Sequence, residues 1–68
     1  MPRARWRIEL LGATEPPQEF LSQDRAYRHG RELAAAGETV RVMRWNKARQ
    51  WWEWHTTLSP SGEVRANS

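Results

Sequence analysis

The stretch TVRVMRWNKARQWWEWHTT, residues 39–57, decides the fold that this sequence predicts. In its first half, Val40 and Val42 alternate with arginine and larger side chains, which is the two-residue period of a strand with two different faces. Residues 46–49 are polar and typical of a turn, and residues 50–57 are rich in tryptophan and threonine, which favour strands. Because the connection is short, the stretch predicts an antiparallel hairpin.

A further strand is predicted ahead of this hairpin, over residues 3–11. Trp6, Ile8 and Leu10 point to one face, and arginine and glutamate alternate with them. Residues 12–17, Gly-Ala-Thr-Glu-Pro-Pro, then end the strand, because two adjacent prolines cannot sit in a sheet interior. We therefore expect a loop between this strand and the next element.

One helix is predicted between the loop and the hairpin. Ser22 is a good N-cap, because its hydroxyl accepts a free amide hydrogen of the first turn, although a start near Pro17 also fits the sequence. Gly37 suits the left-handed residue that ends a helix. The face expected to pack on the sheet carries Ala26, Tyr27, Gly30, Leu33 and Ala34. We interpret Gly30 as the small residue that lets an indole of the sheet approach the helix.

The order of these elements predicts an α+β fold: a single small β-α-β-β domain, with a three-stranded sheet and one helix packed on one face. The domain is expected to span residues 1–58, followed by a flexible C-terminal tail at residues 59–68 that has little to bury. The connection through the helix is long enough for a right-handed crossover if the first two strands are parallel. The order of the strands in the sheet is left open.

Length and composition limit the class of protein. A chain of 68 residues has room for one domain. It contains no cysteine, which excludes disulfides, thiolate zinc sites and a thiol nucleophile, and its two histidines alone do not make a structural zinc site. We therefore expect no metal and no cofactor. The sequence shows neither a secretory leader pattern nor an apolar stretch of membrane-spanning length, so we expect a cytoplasmic protein without membrane association.

The net charge of +3 comes from an excess of arginine, with ten arginines and one lysine. Arginine suits the recognition of phosphate and carboxylate groups, but a GC-rich coding sequence of a bacterium or phage explains the same excess. Arg25, Arg28 and Arg31 recur every three residues along the predicted helix. We interpret this strip as a solvated face.

The sheet face that the helix leaves uncovered is the predicted binding site. If Trp52 and Trp54 share the core face with Val40 and Val42, the uncovered face is a flat mixture of arginine and indole around Glu53. Its predicted binding residues are Arg5, Arg7, Arg41, Met43, Trp45, Trp51 and His55. A hairpin register shifted by one residue would exchange Trp52 and Trp54 for Trp51 in the core. In either register, at least one tryptophan of the hairpin lies off the core side.

Three interpretations of this face compete. Arginine beside indole would neutralise phosphates and stack on bases, so the leading prediction is a small accessory protein that binds nucleic acid. Tryptophan, arginine and methionine are also enriched at protein interfaces, so the alternative is a protein-interaction module, either a homodimer or a modulator of a larger protein of phage or mobile-element type. The third interpretation is a solvated face on which arginines lie over indoles.

Catalysis is not predicted. Glu53 and His55 lie two residues apart on one strand, as an acid–base pair would. A small sheet with one helix offers little concavity in which a substrate would be held. We therefore expect a non-enzymatic protein with no catalytic residue.

Overall fold

The computed structural model describes residues 5–12 and 14–65, which form one helix and one sheet. In chain order the elements are β1 (Trp6–Leu10), β2 (Gln18–Phe20), α1 (Gln23–Ala35), β3 (Val40–Asn46), β4 (Trp51–Ser59) and β5 (Gly62–Arg65). The predicted α+β class with a single helix is confirmed for this part of the chain. The sheet has five strands, however, so the prediction of three strands was wrong.

All neighbouring strands of the sheet are antiparallel, in the order β2-β1-β3-β4-β5. β1 therefore lies between β2 and β3, with Trp6 opposite Phe20 on one side and opposite Arg44 on the other. Because both neighbours run antiparallel to β1, β2 and β3 are parallel to each other. The crossover through α1 thus starts from β2, and the first strand is not parallel to the hairpin strand beside it.

The two strands that the sequence analysis missed carry almost no apolar pattern. β2 has three residues and begins directly after Pro17, where the predicted loop ends. β5 lies in the segment that was predicted to be a tail, and its four residues are all exposed. A tight turn places Ser59 opposite Gly62, whose backbone φ of 136° is one that residues other than glycine rarely adopt. Residues 66–68 of the predicted tail and residues 3–4 of the predicted first strand lie outside the described residues.

Both ends of α1 follow from the local sequence. Ser22 is the N-cap, in extended conformation, and its Oγ accepts a hydrogen bond from the backbone N–H of Arg25 at 3.3 Å. At the other end, Gly37 has a φ of 99°, and its N–H donates to the carbonyl of Ala34 at 3.0 Å. The predicted start and end of the helix are confirmed.

The core lies between α1 and the face of the sheet that carries Trp6. It consists of Trp6, Ile8, Ala26, Tyr27, Ala34, Val40, Val42 and Leu58, all buried. Leu33, which was predicted to be a core residue, is only partly buried at the margin of this cluster. Leu58 is 1% exposed and was missed, because it stands next to the segment that was assigned to the tail.

Gly30 confirms the expectation of a small residue where the helix meets the sheet. A Cβ atom added at this position would lie 2.7 Å from Cδ1 of Leu58 and 3.4 Å from Cδ1 of Ile8. The predicted partner was an indole, and that part was wrong. Leu58 and Ile8 fill the space, because Trp52 and Trp54 of β4 point away from the helix.

Candidate functional site

A β-bulge in the hairpin decides which side chains the uncovered face presents. Val42 lies opposite Thr56, whereas Met43 lies opposite Trp54, so His55 is an extra residue of β4 without a counterpart on β3. On the turn side of the bulge, Trp45 lies opposite Trp52. Trp52 and Trp54 therefore face away from α1, and their predicted place in the core was wrong.

We call the sheet face that points away from α1 the open face. Strand alternation and pairing place on it the side chains of Arg5, Arg7, Glu9, Glu19, Arg41, Met43, Trp45, Trp52, Trp54, Thr57 and Val64. Five of the seven predicted binding residues are thus brought together: Arg5, Arg7, Arg41, Met43 and Trp45. The other two, Trp51 and His55, lie on the side of the sheet that faces α1, because the bulge reverses the expected alternation.

An arginine holds the aromatic centre of the open face in place. The guanidinium carbon of Arg7 lies 4.7 Å from the ring centroid of Trp52, and its Nη2 donates to Oε2 of Glu9 at 2.6 Å. Trp52 also meets Trp45 edge to face, with ring centroids 5.4 Å apart. Arg7 is thus stacked on Trp52 and paired with Glu9. Its charge is neutralised within the open face, and its contacts hold the Trp52 ring in position.

Trp54 is the more accessible indole of the open face. It is 41% exposed, and its Nε1 donates to Oγ1 of Thr57 at 2.9 Å, which limits rotation of the ring. Val64 of β5 lies opposite Thr57 on the same face and is 60% exposed. The result is an ordered apolar surface in contact with solvent.

Trp51 is fixed on the other side of the hairpin by a different set of contacts. Its Nε1 donates to Oε1 of Glu53 at 3.1 Å, the same oxygen accepts from Nδ2 of Asn46 at 2.6 Å, and the guanidinium of Arg49 lies 5.3 Å from the ring centroid. The hydrogen bonds from Trp51 and Asn46, followed by the charges of Arg49 and Arg44, lower the pKa of Glu53. The Glu53 carboxylate is therefore ionised at neutral pH, and it holds the side chains of Trp51 and Asn46 at the end of the hairpin.

His55 belongs to a polar contact beneath the helix. Tyr27 Oη lies 2.6 Å from His55 Nδ1 and is also hydrogen bonded to the buried hydroxyl of Thr56, and the Trp6 ring meets the imidazole edge to face at 4.9 Å. Burial, followed by the charges of Arg44 and Arg65, lowers the pKa of His55. Glu53 and His55 thus have separate partners, and the structure does not join them as a pair.

Charge is concentrated on the β3–β4 hairpin, residues 40–59. This segment contains four cations, Arg41, Arg44, Lys47 and Arg49, and one carboxylate, Glu53, which gives a net charge of +3. The whole chain also has a net charge of +3, so the other residues are balanced. The same hairpin holds four of the five tryptophans. Arg44 and Arg49, which the sequence analysis did not select, are signalled only by this local charge count.

Other kinds of site find little support among the described residues. Two shallow grooves run along α1, one beside Arg28 and the other between Ala35 and the β4–β5 turn, both away from the open face. Within residues 5–12 and 14–65, no three histidine, aspartate or glutamate side chains gather as metal ligands would. The one helix of this part of the chain is too short and polar to cross a bilayer.

No protein-family model, curated protein or solved structure matches this chain.

Proposed function

We propose that this protein binds single-stranded nucleic acid through the open face of its β3–β4 hairpin. The observation that carries the proposal is that the open face gathers Trp45, Trp52 and Trp54 beside the exposed Arg41, on the hairpin that holds the entire net charge of the chain. Aromatic platforms within a basic surface are the features by which sheet proteins hold unpaired bases and their phosphates.

Trp52 and Trp54 supply the stacking surface. Residues two apart on a strand are about 7 Å apart on the same face, so two neighbouring bases of an extended strand would each meet one ring. Trp54 is exposed and its ring is held by Thr57, while Trp52 is held by Arg7. Rings that are already ordered lose little freedom on binding, which favours affinity.

The phosphate contacts would come from the exposed cations around these rings. Arg41 is exposed on the open face, Arg5 is exposed next to Trp45, whose N–H donates to the Arg5 carbonyl at 2.8 Å, and Lys47 lies exposed in the turn. Within the described residues, none of these three side chains forms an ion pair. Arg49 is excluded because its guanidinium lies over Trp51 on the other side of the hairpin. Arg7 is excluded from this role because Glu9 already neutralises it.

A single strand fits this surface better than a duplex. In a duplex the bases are stacked on one another, and their faces are not available to indole rings. The open face is a flat sheet surface and not an element shaped to enter a groove. Stacking depends little on base identity, so we expect weak sequence preference.

Two exposed tryptophans of β4 provide a matched test. Trp54 is 41% exposed on the open face, and Trp51 is 49% exposed on the other side. We would measure the anisotropy of a labelled single-stranded oligonucleotide with the parent protein, Trp54→Ala and Trp51→Ala. Trp54→Ala should weaken binding about 5- to 150-fold, which corresponds to 1–3 kcal/mol per stacked base, and Trp51→Ala should bind like the parent. Absence of binding by the folded parent at physiological salt, or equal effects of both substitutions, would refute the proposal.

A second candidate is a protein interface on the same face, either between two copies or with a larger partner. Its support is the exposed apolar pair Trp54 and Val64, since tryptophan is an enriched anchor of protein interfaces. Sedimentation equilibrium at micromolar concentration tests the homodimer. A dimer that Trp54→Ala dissociates would favour this candidate, and a monomer at all concentrations would leave only a foreign partner.

A further inference from the structure

The bulge in β4 shifts the pairing of the hairpin by one residue between Val42 and Met43. In the register observed, His55 has no counterpart on β3, and the four residues 47–50 form the turn. If the pairing continued without a bulge beyond Val42 and Thr56, Met43 would lie opposite His55 and Arg44 opposite Trp54. The turn would then contain the five residues 47–51, a length that hairpins also use.

The two registers present opposite sets of side chains. The observed register places Trp52 and Trp54 on the open face. The register without the bulge would place Glu53 and His55 there and would turn Trp52 and Trp54 towards the helix side, because a shift of one residue moves each side chain to the other face. The choice of register therefore decides which indoles a ligand meets.

The turn of the observed register carries a conformational cost. Gln50 has a φ of 57°, a left-handed conformation that is uncommon for residues other than glycine and disfavoured sterically. The turn is closed by the N–H of Gln50, which donates to the Asn46 carbonyl at 2.7 Å, and by Asn46 Oδ1, which accepts from the N–H of Arg49. Contacts elsewhere in the fold would add to these hydrogen bonds in offsetting the conformational cost at Gln50.

We propose that the contact between Tyr27 and His55 selects this register, so that α1 determines which tryptophans occupy the open face. The contact exists only when His55 is the bulged residue, because only then does the imidazole share the helix side with Thr56. There it accepts or donates a hydrogen bond at Tyr27 Oη and packs against the ring of Trp6. Tyr27 and His55 are thus positioning residues. Their effect on ligand binding rests on the proposed function, whereas their effect on the register does not.

The test compares Tyr27→Phe and His55→Ala with His29→Ala, which removes the other half-buried imidazole at a site remote from the hairpin. Cross-strand NMR contacts between residue 54 and residues 43 and 44 report the register without any ligand. In both test variants we expect the contact between residues 43 and 54 to weaken and a contact between residues 44 and 54 to appear, with no change in the control. If both test variants keep only the contact between residues 43 and 54, the turn sets the register and the proposal is overturned.

Deletion of His55 gives an independent variant in case His55→Ala does not fold. Without His55, Val42 would still lie opposite Thr56 and Met43 opposite Trp54, and the strands would pair regularly up to the four-residue turn. Trp52 and Trp54 would then lie on the open face in a hairpin that has no bulge. We expect this variant to keep the 43–54 contact even when Tyr27 is replaced by phenylalanine. Loss of that contact on Tyr27→Phe in the deletion background would overturn the proposal, because Tyr27 would then affect the register without His55. Oligonucleotide binding is measured separately, so a parent protein that binds none would refute the proposed function and leave the register result standing.

Discussion

Tyr27 Oη lies 2.6 Å from Nδ1 of His55, and this contact ties the second turn of α1 to the bulge in β4. Burial and the charges of Arg44 and Arg65 hold the pKa of His55 below its usual value of 6.5. Well above pH 6.5 the imidazole is neutral in both the folded and the unfolded chain. As the pH falls below this value, the unfolded chain takes up the proton first, so the free energy of unfolding should decrease until the folded-state pKa is passed.

Urea unfolding between pH 8 and pH 5.5 checks this dependence, since most carboxylates remain ionised over that range. The parent protein should lose stability on acidification, and His55→Ala, although less stable at pH 8, should have a flatter profile. Parallel profiles for the two proteins would show that His55 does not carry the dependence.

Gly30→Ala should destabilise the protein although alanine favours helices. The gain in helix propensity is about 1 kcal/mol, and overpacking of a core costs about 1–3 kcal/mol. Here the added Cβ would lie 2.7 Å from Cδ1 of the fully buried Leu58, so this side chain or the helix would have to shift. We expect a net loss of up to about 2 kcal/mol in urea unfolding. In the double variant Gly30→Ala/Leu58→Ala, the two losses should be less than additive, because the contact at 2.7 Å is removed.

Leu58 of β4 and Leu33 of α1 should differ in their contribution to the free energy of unfolding. Leu58 is fully buried, whereas Leu33 is only partly buried. Leu58→Ala should cost about 2–5 kcal/mol, a large part of the stability of so small a domain. Leu33→Ala should cost less, because part of its side chain is already in water. Equal losses in thermal or urea unfolding would contradict the packing described here.

Arg41 and Arg25 form a matched pair for the phosphate contacts, since both are exposed and lie on opposite sides of the molecule. Binding to phosphates releases counterions, so the affinity for a single strand should fall as salt rises, with a slope of about 0.7 per phosphate contact. Arg41→Ala should reduce this slope by about one contact, and Arg25→Ala should leave it unchanged. A slope that responds equally to both substitutions would indicate unspecific attraction to a basic protein.

Much of the fold was predictable because its signals are local. The structure confirms three such predictions: Trp6 and Ile8 share a buried face, Ser22 is the N-cap, and Gly37 ends the helix. Each of these features depends on a few neighbouring residues. The strands β2 and β5 were not predictable in this way. Their side chains bury little, and they form because β1 and β4 offer free edges for pairing.

The candidate site was predictable in composition but not in arrangement. The sequence by itself determined that a hairpin rich in tryptophan and arginine exists and that some of its indoles must lie off the core. Only the tertiary structure decided that Trp52 and Trp54 lie on the open face and Trp51 on the other side, because strand alternation has two phases and a single bulged residue reverses them. That phase depends on contacts of His55 with Tyr27 and Trp6, which are distant in the chain and are brought together only when helix and sheet pack.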